Sequence, residues 1–432
     1  MKTFEYFVLV INNWFTYLIS ILIVFFVYYN FFKKYFISIL DPFTNMLFFS
    51  AVAITVPVFL FMINEIPLNL FLSLFFTQLL FLIGLRVFSP IKIENYNNIQ
   101  VEKKNDGQEV RFIKWLFIII GTINIFMQLL SYKMFGIPLF AEKSRLAIYG
   151  ESGGVNNIIK RVLDVTYQSH IFLTIYFVNY SAKNFMFNFY TKLSVLLILV
   201  FSIFSGSKGT FLTFGLAFFV YALYSIRWGN TFLFYKIKKF VFKFGLIVFC
   251  IAILVILISE ETDNPFLFLL YRIGQSGDVF YMAYPNAVID KIPSTNWFVG
   301  LFASPLSMFG IIPRSSIPEP MGFFLMQYHD PSVEFKGPNA RINIFSYVYF
   351  SIFYSPFFCF FIGMIVSFFR NKLFSLLPAN IFGCILYFLF LNAALRLESD
   401  FHSALADFIN IIVILPFFLF ISYYLSIRKT DG

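Results

Sequence analysis

Charged residues are scarce in this chain of 432 residues: Asp, Glu, Lys and Arg make up 12% of it, and hydrophobic residues make up 59%. A soluble domain carries about 25% charged residues, so this composition excludes an ordinary soluble protein. The mean hydropathy of +0.80 and the absence of an internal repeat indicate an integral membrane protein rather than a fibre.

Cysteine and the usual motifs of metal chemistry are rare or missing. Cys250, Cys359 and Cys384 all fall within apolar runs, and an odd number without framework spacing argues against structural disulfides and zinc sites. There is no His-Glu-x-x-His, no EF-hand loop, no Gly-x-Ser-x-Gly elbow and no Asp-x-Asp pair. The sequence therefore predicts no metal and no cofactor.

Long apolar runs are what the chain has instead. A membrane span needs roughly 20 apolar residues, and runs of about this length predict an all-α integral membrane protein of about eleven spans, with 1–432 as one polytopic domain. The predicted spans are 10–32, 45–63, 66–88, 113–133, 162–181, 190–205, 210–226, 243–259, 342–369, 374–393 and 404–426. The sixth and seventh are separated only by Gly206-Ser-Lys-Gly209, which could be a turn or a kink inside one helix.

The distribution of basic residues predicts the orientation. With the N-terminus outside and the C-terminus inside, the inner segments hold 19 of the 32 basic residues and six of the 22 acidic residues, as the enrichment of Lys and Arg in cytoplasmic loops requires. The net charge of +10 is thus a topology signal and not a nucleic-acid footprint. Tyr235-Lys-Ile-Lys-Lys239 fits a juxtamembrane cluster facing the anionic lipid bilayer.

This topology places two long polar segments outside the membrane, 134–161 and 260–341. We expect the chemistry in the second, because it is the longest stretch without a spanning run. Inside it, Pro265 to Ile289 reads as an apolar helix that lies on or dips into the membrane surface. Arg272 and Asp278 make a twelfth span there unfavourable.

Basic residues in or beside the outer segments could bind a diphosphate. Arginine pairs with phosphate oxygens in a bidentate fork, and a lysine at a helix N-terminus would add to the anion site formed by free N–H groups. The alternatives are an arginine that reaches to phospholipid headgroups and a plain glycine turn around the lysine. The candidates are Arg145, Lys208, Arg272, Arg314 and Arg341.

Three titratable residues could accept the proton of a sugar hydroxyl. His329 lies in the large outer segment beside Asp330, which could orient its imidazole, and a histidine can act as a base near neutral pH. Asp278 and Asp400 are the other candidates, although both could instead be ion partners and Asp278 could also be a helix-end residue. Arg396, Glu398 and His402 surround Asp400, and charges at that depth suggest a lined cavity.

The order of these motifs resembles a known family. Gly136-Ile-Pro-Leu-Phe140 through Arg145, then Ser205-Gly-Ser-Lys-Gly209, then Arg272 to Asp278, and then Gly337-Pro-Asn-Ala-Arg341 at the start of a span are similar to the Wzy-type oligosaccharide repeat-unit polymerases of O-antigen and capsule. The likeness covers about 40–425. The paired Arg-x10-Gly motifs of some members are absent, so no role is carried over from them.

The resemblance implies a fold and a reaction. The fold would be the membrane glycosyltransferase C type in the bacterial inner membrane, metal-independent and without a cofactor. The reaction would join undecaprenyl-diphosphate-linked oligosaccharides into O-antigen, capsule or exopolysaccharide, with a chain-length regulator as a further partner. The basic residues above would bind the diphosphates.

Two other functions stay open from the sequence. An O-antigen ligase would perform the same chemistry on a different acceptor. A flippase for lipid-linked oligosaccharides would instead show an internal repeat, short even loops and ionisable residues at mid-span, whereas here the charges gather at the ends of the spans.

Overall fold

The computed structural model describes residues 1–96, 107–140, 155–179, 185–205, 210–259, 271, 273–294, 296–313, 316–333 and 337–427, and their regular structure is helical throughout. The α-helices are α1 Thr3–Asn12, α2 Trp14–Phe32, α3 Pro42–Met62, α4 Leu68–Gly84, α5 Gly107–Phe135, α6 Val155–Asn179, α7 Phe185–Phe204, α8 Thr210–Ser225, α9 Thr231–Ser259, α10 Asp278–Ala283, α11 Trp297–Met308, α12 Met321–His329, α13 Ile342–Ser367, α14 Leu373–Leu376, α15 Ile381–Arg396 and α16 Phe401–Ile427.

Within the described residues, six helical stretches are long and apolar enough to cross a membrane, so the chain is a multi-pass, all-helical membrane protein. They are Trp14–Phe32, Pro42–Met62, Gly107–Phe140, Phe185–Phe204, Ile342–Leu376 and Phe401–Ile427. Each of the eleven predicted spans overlaps one of the helices α2 to α9, α13, α15 or α16. The number of crossings itself stays a prediction, as does the glycosyltransferase C fold.

The chain folds into two compact units. The first contains Met1–Ile91, Leu267–Leu373 and Leu391–Ala406, and the second contains the remaining segments Lys92–Phe266, Phe374–Phe390 and Asp407–Gly432. The whole described part of 260–341 therefore belongs to the first unit.

Helix α3 forms the centre of the first unit, whereas α2 lies at its edge. In α3, 61% of the most apolar window is buried, against 22% in α2. Apolar side chains that remain exposed on a membrane protein face lipid, which is as apolar as they are. The outward rings of α2, such as Phe26 at 70% exposure, are consistent with that location.

Helices α4 and α13 cross at a contact that only glycine permits. A Cβ on Gly84 would lie 2.3 Å from the carbonyl oxygen of Phe360, and one on Gly363 would lie 2.3 Å from that of Phe81. Small residues at such crossings let helix backbones approach closely, and that proximity strengthens van der Waals packing within a bilayer. This crossing holds α13 against α4 in the first unit.

Contacts within the first unit sort its segments into two sets. Arg370 pairs with Asp41 at 2.5 Å, and both were predicted to lie inside. Arg341 pairs with Glu398 at 2.5 Å, and both were predicted to lie outside. Alternating spans require this sorting, but which set faces the outside stays a prediction.

The second unit is held together by polar contacts between its helices. On α6, His170 is buried and its Nδ1 lies 3.1 Å from Asn124 Nδ2 on α5. Arg227 follows α8 and donates to the carbonyl oxygen of Leu377 at 2.7 Å and to Tyr224 OH at 2.5 Å. His170 is thus a packed core histidine of this unit.

Two details differ from the sequence prediction or fall outside it. The first predicted span, 10–32, is interrupted at Asn13, whose φ of −121° and ψ of 34° end α1 before α2 begins. Helices α7 and α8 are separate in the described residues, but Gly206-Ser-Lys-Gly209 itself lies outside them.

Candidate functional site

The described part of 260–341 is folded against the first unit as short helices. In α10 and the residue after it, every side chain of 279–284 is buried. Gly277 permits this packing, because a Cβ there would lie 2.6 Å from Val56 Cγ2 and 2.8 Å from the carbonyl oxygen of Ala53, both on α3. The helix expected at the membrane surface is thus enclosed by protein over 279–284, and a surface position for the remainder of 265–289 stays a prediction.

A buried ion pair joins this segment to the helix ends of the first unit. Arg341, at the N-cap position of α13, is 5% exposed, and Glu398 after α15 is 2% exposed. The guanidinium donates from Nη1 to Glu398 Oε1 at 2.5 Å, from Nε to the carbonyl oxygen of Ser276 at 3.1 Å, and from Nη2 to that of Phe49 at 3.4 Å. Arg341 therefore binds protein groups here and does not face an open diphosphate site.

The ion pair continues into a buried chain of hydrogen bonds. Ser50 Oγ donates to Glu398 Oε1 at 3.1 Å, and Tyr28 OH lies 2.8 Å from Ser50 Oγ. Gln78 Nε2 donates to Tyr28 OH at 2.7 Å, and Asn343 Nδ2 donates to Gln78 Oε1 at 3.0 Å. Low local dielectric strengthens such bonds and makes a broken one costly. We call this set, with Arg341, the buried network.

Asp278 and Asp400 both contact helix N-termini. Asp278 Oδ1 accepts from the backbone N–H of Val279 at 2.8 Å, and Asp400 Oδ1 accepts from that of Ser403 at 3.1 Å. Carboxylates at these positions satisfy free N–H groups and favour the helix dipole. The helix-end alternative considered for Asp278 fits this contact, and Asp400 makes a contact of the same kind that the sequence analysis did not predict.

His329 is half-buried at the end of α12. Its Nε2 lies 2.8 Å from the carbonyl oxygen of Met282. Asp330 does not orient the imidazole as predicted, because its Oδ1 accepts from the Oγ and the backbone N–H of Ser332 at 2.6 and 3.2 Å. Burial, more than nearby cations, lowers the pKa of His329 below its ordinary value.

The remaining predicted site residues cannot be compared with the structure. Arg145, Lys208, Arg272 and Arg314 lie outside the described residues, so their part in a diphosphate clamp stays a prediction. Among the described residues, no three His, Cys, Asp or Glu side chains form a group that could hold a metal ion. His402, noted from the sequence, lies with its Nε2 2.6 Å from the carbonyl oxygen of Gly300.

Sequence reasoning missed an open cleft beside the first turns of α13. The cleft has a volume of about 860 Å³. Its lining combines exposed polar groups with aromatic rings: Asn69, Asp290, Ser294, Trp297, Tyr347, Tyr349, Phe350, Ser351 and Tyr354. Tyr347 OH donates to Asp290 Oδ1 at 2.8 Å across this cleft.

The backbone on both sides of the cleft adopts left-handed conformations. Asn286 and Ala287 have φ of 57° and 51°, just before Asp290, and Ser351 has φ of 57° inside α13. Such values are costly for residues other than glycine, and they cluster at functional sites. Tyr354, three residues after the break at Ser351, also lines the cleft.

Close packing of α11 forms one wall of the cleft. A Cβ on Gly300 would lie 2.2 Å from the ring of Tyr349, so glycine lets α11 approach α13. Asn296 caps α11 by accepting from the backbone N–H of Phe298 at 2.8 Å. As a result, the ring of Trp297 lies 6.1 Å from that of Phe350. The signal in the sequence that could have indicated this cleft is an isolated tryptophan, Trp297, seven residues after the carboxylate of Asp290.

No protein-family model, curated protein or solved structure matches this chain. The function is therefore inferred from the residues and the geometry described above.

Proposed function

We propose that this protein is a membrane glycosyltransferase that polymerises oligosaccharide repeat units carried on undecaprenyl diphosphate. The observation that carries the proposal is that the described residues of 271–341 fold into a structured cap. Arg341 joins Ser276 of this cap to Glu398 at the end of a predicted span. A structured cap with an open cleft can hold a polymer and limit the access of water, which would otherwise hydrolyse the donor. The order of the motifs supports the same function.

The reaction needs three contributions from the protein: cations for the leaving group, a base for the acceptor hydroxyl, and an ordered cap. The acceptor hydroxyl oxygen attacks the anomeric carbon of the donor, the bond to the diphosphate oxygen breaks, and lipid diphosphate leaves with the electron pair. Cations stabilise that leaving group, and in this proposal Arg145, Lys208, Arg272 and Arg314 supply them. A base accepts the hydroxyl proton, and His329 is the first candidate, ahead of Asp278 and Asp400. Arg341 orders the cap.

The test combines reconstitution with deletion of the gene. Purified protein and purified lipid-linked repeat units should yield a ladder of polymers and free undecaprenyl diphosphate. Deletion should remove long surface glycans and leave at most single repeat units on the acceptor. Transfer of preformed polymer to a new acceptor without chain growth would indicate a ligase. Accumulation of lipid-linked repeat units on the cytoplasmic leaflet would indicate a flippase and contradict the proposal.

A further inference from the structure

The cleft at the start of α13 has the chemical composition of a carbohydrate site. A sugar ring presents a flat C–H face that packs on aromatic rings and an edge of hydroxyls that hydrogen-bond to polar groups. Ligand sites generally combine apolar walls with a few placed polar groups, and Trp and Tyr rings offer both an apolar body and a polar end. The cleft provides Trp297 and Tyr354, at 50% and 70% exposure, together with Asp290.

We propose that this cleft binds a glycan, with Asp290 accepting hydrogen bonds from sugar hydroxyls and Trp297 packing on a sugar face. The identity of the glycan as the lipid-linked repeat unit or its growing polymer rests on the proposed function. The cleft itself is argued from its own residues.

The carboxylate of Asp290 has capacity left for a ligand. An ionised carboxylate offers about four lone-pair sites, and Tyr347 OH occupies one of them at 2.8 Å. The next residue, Lys291, is directed to Tyr328, with Nζ 2.6 Å from its hydroxyl and 4.9 Å from the ring centroid. Asp290 is exposed, so its second oxygen can receive a hydroxyl donor.

The lining argues against the two other ligands that a membrane protein meets. A lipid tail would bury the polar groups of Asn69, Ser294 and Ser351 without hydrogen bonds, which is unfavourable. A phosphate would be repelled by the carboxylate of Asp290. A neutral polyhydroxyl ligand satisfies the polar groups and covers the rings. The volume of about 860 Å³ lies in the range of small-ligand sites and can hold an oligosaccharide of a few residues.

The test measures binding directly on the full chain. The probe is the oligosaccharide released by mild acid from the host's lipid-linked repeat units, titrated calorimetrically into purified protein in lipid nanodiscs. Wild-type protein should bind it. Asp290→Asn and Trp297→Ala should each weaken binding by about tenfold or more, because one removes a charge-assisted acceptor and the other a ring platform.

Two matched substitutions serve as controls outside the cleft. Glu319→Gln neutralises another exposed carboxylate of the same segment, and Trp14→Ala removes another exposed tryptophan ring, on α2. Both should leave the affinity within about twofold of wild type. Asp290→Asn preserves the shape of the side chain, so it answers the question even where Trp297→Ala lowers the yield of folded protein.

The outcomes separate this inference from the proposed function. Absence of binding by wild-type protein at millimolar probe, or unchanged affinity in both cleft variants, would overturn the glycan site. Binding of lipid-linked probe alone, unaffected by Asp290→Asn, would assign recognition to the lipid and would also overturn it. Glycan binding without polymer synthesis would contradict the proposed function and leave the site standing. Polymer synthesis at wild-type rate by the cleft variants would contradict the glycan site and leave the proposed function standing.

Discussion

The two ends of α13 carry the same kind of ion pair in different surroundings. Beyond its C-terminal end, Arg370 in the π-helical turn Phe368–Lys372 donates to Asp41, which also caps α3. At its N-terminal end, Arg341 donates to Glu398 and to a carbonyl of the cap. Both pairs are almost fully buried. The first connects helix ends, whereas the second connects helix ends to the buried network and to the segment that forms the cleft.

Because both buried arginines bind carboxylates of the protein itself, a buried arginine is not by itself evidence of a binding site. Burying an ion pair costs desolvation, and breaking it costs more because a charge is left uncompensated. Loss of one partner should therefore be costly at either end, and Arg341 also binds the carbonyl oxygen of Ser276, in the segment that supplies one side of the cleft. Substitutions at either end of α13 test whether the two ion pairs differ in function.

The largest effect is expected at Glu398. Glu398→Gln leaves Arg341 buried without a counter-ion, which destabilises by about 3–5 kcal/mol, and Ser50 loses a charged acceptor. The measurement is the thermal midpoint of unfolding in detergent. Unfolding is monitored with a dye that reacts with the thiols that it exposes. Cys359 and Cys384 are buried reporters, and a Cys250→Ser background removes the exposed thiol. An unchanged midpoint would show that the pair does not stabilise the fold.

Asp41→Asn should lower the free energy of unfolding by about 3 kcal/mol, slightly less than Glu398→Gln, because Arg370 loses its charge partner. The loss is smaller because the amide of Asn keeps an acceptor for the backbone N–H of Phe43. The informative difference is activity for each folded molecule. Polymer synthesis should be retained in Asp41→Asn and lost in Glu398→Gln. Equal activity in the two variants would mean that the two ends of α13 are functionally alike.

Removing both members of the Arg341 pair should restore stability without restoring function. The double variant Arg341→Met, Glu398→Leu replaces the pair by apolar side chains of similar size, which is often neutral or stabilising. Its thermal midpoint should lie within a few degrees of wild type and above that of either single variant. A midpoint below that of both single variants would show that the cap depends on the pair in a way that packing does not replace.

The smallest effect is expected at His329 and depends on pH. Its folded pKa is lowered by burial, so the unfolded chain binds more protons at and below the ordinary value of about 6.5. Stability contributed by the neutral imidazole is therefore complete above pH 6.5 and is lost as the pH falls through the folded pKa. The neighbouring charged groups are the N-terminal amine of Met1, 3.2 Å from Nε2, and the side chains of Lys2 and Glu5.

The measurement compares thermal midpoints of wild type and His329→Gln between pH 7.5 and 5.0. The wild-type midpoint should fall more steeply below pH 6.5, and the two proteins should differ by about 1 kcal/mol or less at neutral pH, where one hydrogen bond to Met282 is at stake. Parallel curves would assign the acid sensitivity to other groups. A loss of polymer synthesis at normal stability would support His329 as the base.

Composition and hydropathy were enough to predict an all-helical membrane protein and the approximate positions of its long apolar helices. Apolar length is a local property, and no backbone can leave its N–H and C=O groups unsatisfied in lipid. The helix-end alternative for Asp278 was also visible locally, because a carboxylate at the start of a helix has nearby N–H groups to bind.

Only the tertiary structure decided which polar residues meet. Arg341 finds Glu398 at a separation of 57 residues, and Tyr347 finds Asp290 at the same separation. No local pattern predicts such pairs, because each joins residues that are far apart in the sequence and that only the folded chain brings together. The cleft was missed because each of its residues is ordinary in sequence, and its chemistry exists only where the folded backbone brings them together.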